Sequence, residues 1–398
     1  MKYFVKADVL LSVRKRYGIP LSRFAEKIKV EPAIISDWEK NGAELSTSRM
    51  ELIAKTVGCH WSVLLRDDPL PIVEQPKNRR VSRHRDGYTP ATTTLVSYRE
   101  SSRLLSHIAQ SNVPKLKDKI KELIGKTSRS QDFDKASAEF RVLVNYTDET
   151  RQKLSSPKKV YDYLVSQLEQ HGIFVSEQEF DTDDIRGFMI SKGDTFLIAI
   201  SSLDKFPASR LFTLLHEVGH ILRGKPSSAC DLHEVGKSAD PIENEERFCD
   251  NFAASFLMPE RQFLDDDRVM AIGKNERQLD NDALGRIAGY YRTSYLAVIR
   301  RMYLLKVISY PVYRSKYKEF YDEILPKILA KRNSDNKEIR LPKSFYINRE
   351  IKKASRTFTE FVIGRYGSGD ISSGEAKRLL GVDTGYLVEI EKLVGAGK

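Results

Sequence analysis

Cysteine is scarce. The 398 residues hold three, Cys59, Cys230 and Cys249, far apart and without a Cys-x-x-Cys pair. That spacing argues against a disulfide scaffold or a cysteine zinc cluster and suggests a reducing cytoplasm. No run of about 18 apolar residues occurs, so no membrane span is expected. The opening "MKYFVKADVL" lacks the apolar stretch and small-residue cleavage site of a secretory signal. Low-complexity tracts are missing, and so is any repeat at a fixed period of about 20–50 residues.

What is present reads as globular: 40% hydrophobic and 30% charged residues, in a chain long enough for several domains. The net charge of +11 is unevenly spread. Residues 1–75 carry +2, 76–160 carry +10, 161–270 carry −11 and 271–398 carry +10. The basic flanks suit nucleic acid, an acidic partner or plain solvation.

Residues 8–68 read as short helices. Stops fall at Gly18 and Gly42, Pro32 sits in a first turn, and Ser46 is a cap. Pro69, Pro71 and Pro76 with the basic "KNRRVSRHRDGYTP" read as a linker. Amphipathic helices are expected at 99–125 and 134–143, and another between Ser156 and Gly172. The runs "IFVSEQEF", "GFMISKG" and "TFLIAISS" read as strands. Helices follow at 243–257, 283–307, 316–332, 346–365, 373–380 and 384–394.

Between the last strand and this helical half lies "RLFTLLHEVGHILRG". On a helix, residues four apart share a face, so His216 and His220 can grip one ion. Glu217 stands beside the first histidine, placed to take a proton from a metal-polarised water. The plain alternative is two core imidazoles. An otherwise apolar helix seldom buries two imidazoles and a carboxylate on one face, because unpaired they cost several kcal/mol. Zinc is the ion that imidazole and carboxylate donors at one open site suggest. A third ligand is needed, and Pro226 occupies the position where a third histidine would continue the motif. "PIENEERFCDNFAASFLMP" offers Glu246, with Asp250 one turn on to accept the second N–H of a ligating histidine. Glu243 and Glu245 are rivals to Glu246. Cys249 is either a small buried residue or a redox-sensitive neighbour. An oxyanion donor is not assigned; His233, Tyr290, Tyr291 and Tyr295 are the candidates.

Together, "FTLLHEVGHIL" and "EERFCDNFAASFLMP" resemble the ImmA/IrrE family of metallo-endopeptidases over roughly 155–305, with "DIRGFMI" before and "LGRIAGYYRTSYLAVIRRMYLL" after. The resemblance implies a zinc peptidase with His216, His220 and Glu246 as ligands and Glu217 as base, acting on a repressor-type protein. Phe248-Cys249-Asp250 stands where many members have Glu-Ala-Asn.

"LSRFAEKIKVEPAIISDWEKNG" resembles an XRE/Cro-type helix-turn-helix, its turn at Lys29-Val30. The reading helix would present Glu31, Ala33, Ser36, Asp37 and Lys40, without an arginine for guanine. Double-stranded DNA and a protein partner both stay open for it. The carboxyl-terminal "SSGEAKRLLGVDTGYLVEIEK" suggests a turn between two helices, with nucleic-acid binding, packing or dimerisation as its use.

The expected build is multidomain. An all-α helix-turn-helix domain (1–68) is followed by a linker (69–98) and a helical connector (99–154). An α+β zincin-like metallopeptidase core with a small sheet and an active-site helix (155–308) comes next, then a mostly helical region (309–398). The expected function is a cytoplasmic zinc endopeptidase acting on a repressor, a homodimer being allowed. The alternative is a DNA-binding regulator, or a toxin–antitoxin-like component, whose metal site is structural or sensory.

Overall fold

The computed structural model describes residues 2–16, 21–57, 59–69, 92–128, 130–180, 185–224, 241–334 and 343–395. Cys230, His233 and most of the segment read as a linker lie outside the described residues.

The amino-terminal unit packs α1 (Ala7–Arg16), α2 (Leu21–Ile28), α3 (Pro32–Asn41) and α4 (Thr47–Val57) around Val9, Val13, Phe24, Ile28, Ile35, Met50 and Ile53. Lys29 holds the α2–α3 turn with φ 54, and the Ser46 hydroxyl accepts from the Arg49 N–H as the cap of α4. The sequence suggested helices alone here. The structure adds β1 (Lys2–Val5) paired antiparallel with β2 (Ala43–Ser46), four residues each and too short for a convincing alternation.

α5 (Thr92–Gln110) starts inside the stretch read as linker, because the proline and basic signals end before it. The single helix expected at 99–125 is two, since Pro114 removes a backbone donor between α5 and α6 (Asp118–Thr127). α7 (Phe133–Leu143), α8 (Asp148–Lys153) and α9 (Pro157–Gln170, capped by the Ser156 hydroxyl) lead into the sheet. Its strands are β3 (Ile173–Gln178), β4 (Gly187–Lys192) and β5 (Thr195–Ser201), in the order β3-β5-β4. β3 runs parallel to β5, and β4 antiparallel.

The alternation of β3 and β5 sends side chains to two buried faces. Val175, Ile198 and Ile200 belong to the larger core, where α9 and α10 (Pro207–Arg223) pack on the sheet and α11 (Pro241–Leu257) packs on α10. Phe174 and Leu197 face the other way, onto Leu104 and Ile108 of α5 and onto the carboxyl-terminal helices. Near-continuous apolar strands are what a sheet covered on both sides requires.

The larger core is completed by α12 (Glu260–Leu264), α13 (Asp267–Lys274), α14 (Asn281–Tyr291) and α15 (Tyr295–Leu304). The expected helix 283–307 is broken at Arg292, which takes φ 55. α16 (Tyr310–Glu319) and α17 (Leu325–Ser334) are joined by a π-helical turn.

The chain then returns to the second face of the sheet. It does so through α18 (Lys343–Lys353), α19 (Arg356–Gly367), α20 (Ser373–Leu380) and α21 (Leu387–Gly395). The expected helix 346–365 is split at Ser355, which has φ 68. α5, at the start of the stretch read as a connector, and α18–α21, at the end of the trailing region, therefore form one layer, with Ile351, Phe358 and Val362 in one core with Phe174, whereas α6 and α7 pack in the larger core. Periodicity marked their helices but could not show that segments so far apart in the chain share a core.

Glu169 fastens that layer. Its buried carboxylate accepts from the Ser355 hydroxyl at 2.6 Å and from the backbone N–H groups of Thr357 at 2.9 Å and Val175 at 3.4 Å.

Candidate metal centre

Pro207 in the first turn and Gly224 in the left-handed conformation bound α10. Every residue from Leu211 to Arg223 is buried, so the helix runs through the core. Burying His216, Glu217 and His220 there requires partners that offset lost hydration. α11 supplies them. The two helices cross closely at Gly219, where an added Cβ would lie 3.0 Å from the Cα of Cys249 and 3.1 Å from its Sγ. A glycine on one helix and a small residue on the other set that approach.

The crossing brings three side chains to one point. His216 Nε2 and His220 Nε2 stand 3.1 Å apart. Glu246 places Oε2 3.2 Å from the first and Oε1 3.6 Å from the second. Ligand atoms held about 2.0–2.1 Å from a tetrahedral ion lie about 3.3 Å from one another. The spacing and the donor set, two imidazole nitrogens and a carboxylate, therefore fit zinc. Cys249 Sγ also falls with the two histidines in a group within 4.8 Å. Glu246 is the better third ligand on distance. Burial and the surrounding carboxylates, Glu246 foremost, hold the Cys249 thiol well above its ordinary range and so protonated.

Behind the imidazoles runs a chain of polar contacts. His216 Nδ1 stands 2.7 Å from Asp250 Oδ1, and Arg300 of α15 donates to Asp250 Oδ2 at 2.8 Å. A carboxylate on Nδ1 puts the proton there and leaves Nε2 its lone pair. Burial alone would lower the pKa of His216, but hydrogen bonds and charge from Asp250 and Glu246 outweigh it and raise the imidazole to about 10. Burial disfavours the charge on Glu246, yet His216 and His220 hold that carboxyl below its usual range.

The rivals are placed elsewhere. Glu245 makes a two-pronged contact with Arg223, at 2.5 and 3.1 Å, while Arg223 also donates to the carbonyls of Thr127 and Ser130. The Glu243 side chain and His233 lie outside the described residues. The tyrosines are engaged away from the centre. Tyr290 lies between the guanidinium groups of Arg151 and Arg268, Tyr291 donates to Gln262 and stands 3.1 Å from Asp266, and Tyr295 bonds Asn281. Sequence reading missed Arg300, fifty residues beyond Asp250. Only the sequence "VIRRMYLL", two arginines on an apolar helix, hinted at a buried cation. In the amino-terminal unit, Glu31, Ala33, Asp37 and Lys40 are exposed on or just before α3, and Ser36 is half-buried.

A helix bearing His-Glu-x-x-His, laid on a small mixed sheet and met by a carboxylate from the next helix, is an arrangement that can hold a metal ion. Residues 168–303 match the peptidase family model for the IrrE N-terminal-like domain, and residues 10–64 match a helix-turn-helix model. No curated protein and no solved structure matches the chain. Over those two spans the molecule is similar to an ImmA/IrrE-type peptidase domain and to a helix-turn-helix domain. Among the described residues, no helix is long and apolar enough to cross a membrane.

Proposed function

We propose that the chain is a zinc-dependent endopeptidase that cuts a regulatory, repressor-type protein. The observation that carries the reading is the convergence of His216 Nε2, His220 Nε2 and Glu246 at spacings of 3.1–3.6 Å. When bound, zinc supplies Lewis-acid activation of water and of the scissile carbonyl. Glu217, buried on the same helix one residue after His216, is the general base: it accepts the proton of the attacking water and passes it to the leaving amine. Asp250 holds His216 in the ligating tautomer, and Arg300 holds Asp250 in place. The substrate class rests on the company the domain keeps. A helix-turn-helix domain is fused to it, and the −11 charge of residues 161–270 attracts basic, DNA-binding chains. Cys59 and Cys249 stand outside any disulfide among the described residues, which accords with a cytoplasmic setting.

Full burial of His216, Glu217 and His220 is also what a structural or sensory metal site displays, so a regulator with a non-catalytic ion is the second reading. Co-expression with candidate helix-turn-helix repressors, followed by intact mass, separates the two. The peptidase reading expects one discrete cut that disappears in Glu217→Gln. Intact repressors throughout, from a wild-type chain holding its metal, favour the regulator.

A further inference from the structure

The carboxyl-terminal helices repeat the register of the amino-terminal helix-turn-helix. In the first unit α2 is 8 residues long, Lys29 follows with φ 54, and α3 starts three residues later at Pro32. In the second, α20 is also 8 residues long, Gly381 follows with φ 73, and helical backbone resumes three residues later at Thr384. A shift of 352 positions, Lys29 to Gly381, carries one inward-facing set onto the other. Phe24, Ile28, Val30, Ile35 and Trp38 become Ala376, Leu380, Val382, Leu387 and Ile390, and all ten pack inward. α19 precedes α20 as α1 precedes α2, and packs on both α20 and α21. Gly381 suits a turn that needs positive φ. Such a turn fixes the second helix across the first, the arrangement that presents a reading helix to a DNA groove.

The outward positions correspond too. Ile34 of the first unit is 44% exposed, and its counterpart Tyr386 is 36% exposed, with Val388 beside it at 51%. Arg365, Lys377, Arg378 and Lys392 stand in solvent around this face. Three acids here are matched: Asp383 by Lys377 at 2.8 Å, Glu375 by Arg378 at 3.8 Å and Glu389 by Lys343. Residues 356–395 hold five basic and six acidic residues, so exposed cations rather than net charge would meet phosphate. We propose that residues 356–395 are a second helix-turn-helix unit and bind duplex DNA. Thr384, Tyr386 and Val388 enter the major groove, and Arg378 and Lys392 meet phosphates. The chain then grips DNA at two units flanking the peptidase core, a proposal that stands apart from the peptidase reading.

The test is fluorescence anisotropy of the full chain on a random-sequence duplex spanning several helical turns, titrated with KCl. The double variant Arg378→Glu, Lys392→Glu changes exposed residues only. It is expected to melt like wild type, bind about tenfold or more weakly, and lose roughly 1.8 from the slope of log K against log salt, for two phosphates at about 0.9 each. Val388→Asp on the reading face is expected to weaken binding as well. Unchanged affinity and slope in both variants, or no duplex binding by the wild type at low salt, overturns the proposal. So does self-association that Val388→Asp abolishes while DNA binding stays intact, which would assign the face to protein.

Discussion

Two buried glutamates at one small sheet show what separates a fastener from a metal site. Glu169 meets donors only: a hydroxyl and two backbone N–H groups. Burial pushes its carboxyl above the usual range, and those hydrogen bonds offset only part of the rise. Glu246 meets two imidazole nitrogens, which hold it below that range. Burial is common to both. The difference is that lone pairs converge at Glu246, where a proton or a cation must sit, whereas at Glu169 three N–H and O–H groups already fill the space. Function belongs where acceptors face acceptors.

The sharpest way to break the comparison is Glu217→Gln. It should keep a stoichiometric metal and lose about 10²–10⁴-fold in peptide cleavage, the usual weight of a general base, checked by single-turnover assay. Retained cleavage would move the base elsewhere. The matching change on the other side is Glu169→Ala. Two backbone donors lose their acceptor in the core, so unfolding should be easier by about 2–4 kcal/mol while metal content stays at wild type. Chemical denaturation and elemental analysis read the two quantities separately, and metal loss would erase the distinction between the two carboxylates.

Asp250→Asn should weaken zinc binding about 10–100-fold, because the amide no longer fixes the His216 tautomer; competition with a chelating dye measures it. The pH dependence follows from the same contact. Zinc needs the neutral imidazole, and His216 is raised to about 10, so one proton must leave on binding. Affinity should therefore climb about tenfold per pH unit between pH 7 and 9, in step with proton release by calorimetry, and a flat profile would contradict the contact with Asp250. The smallest effect expected is that of Gly219→Ala. Its methyl group would meet the Cα of Cys249 at 3.0 Å, and forcing the helices apart should cost about 1–3 kcal/mol in thermal unfolding.

Local chemistry carried much of this into the sequence. Four-residue spacing marks His216 with His220 and Glu246 with Asp250 as pairs on one helix face, and the geometry brings both pairs together. Aromatic and β-branched runs marked β3, β4 and β5. What spacing could not do was choose Glu246 over Glu245, since neighbours on a helix differ by only about 100° and the choice is made by Arg223. Nor could it place Arg300, or show that α5 and α18–α21 would close over the back of the sheet. Those facts live in tertiary contacts between distant segments. The unusual backbone at Ser355 is likewise held by Glu169, far away in sequence.

The most direct measurement is the zinc content of the purified full-length chain beside His216→Ala, His220→Ala and Glu246→Ala. One zinc per wild-type chain and essentially none in each folded variant is the predicted result. A Glu246→Ala chain that still holds a full equivalent at wild-type affinity would contradict the centre described here.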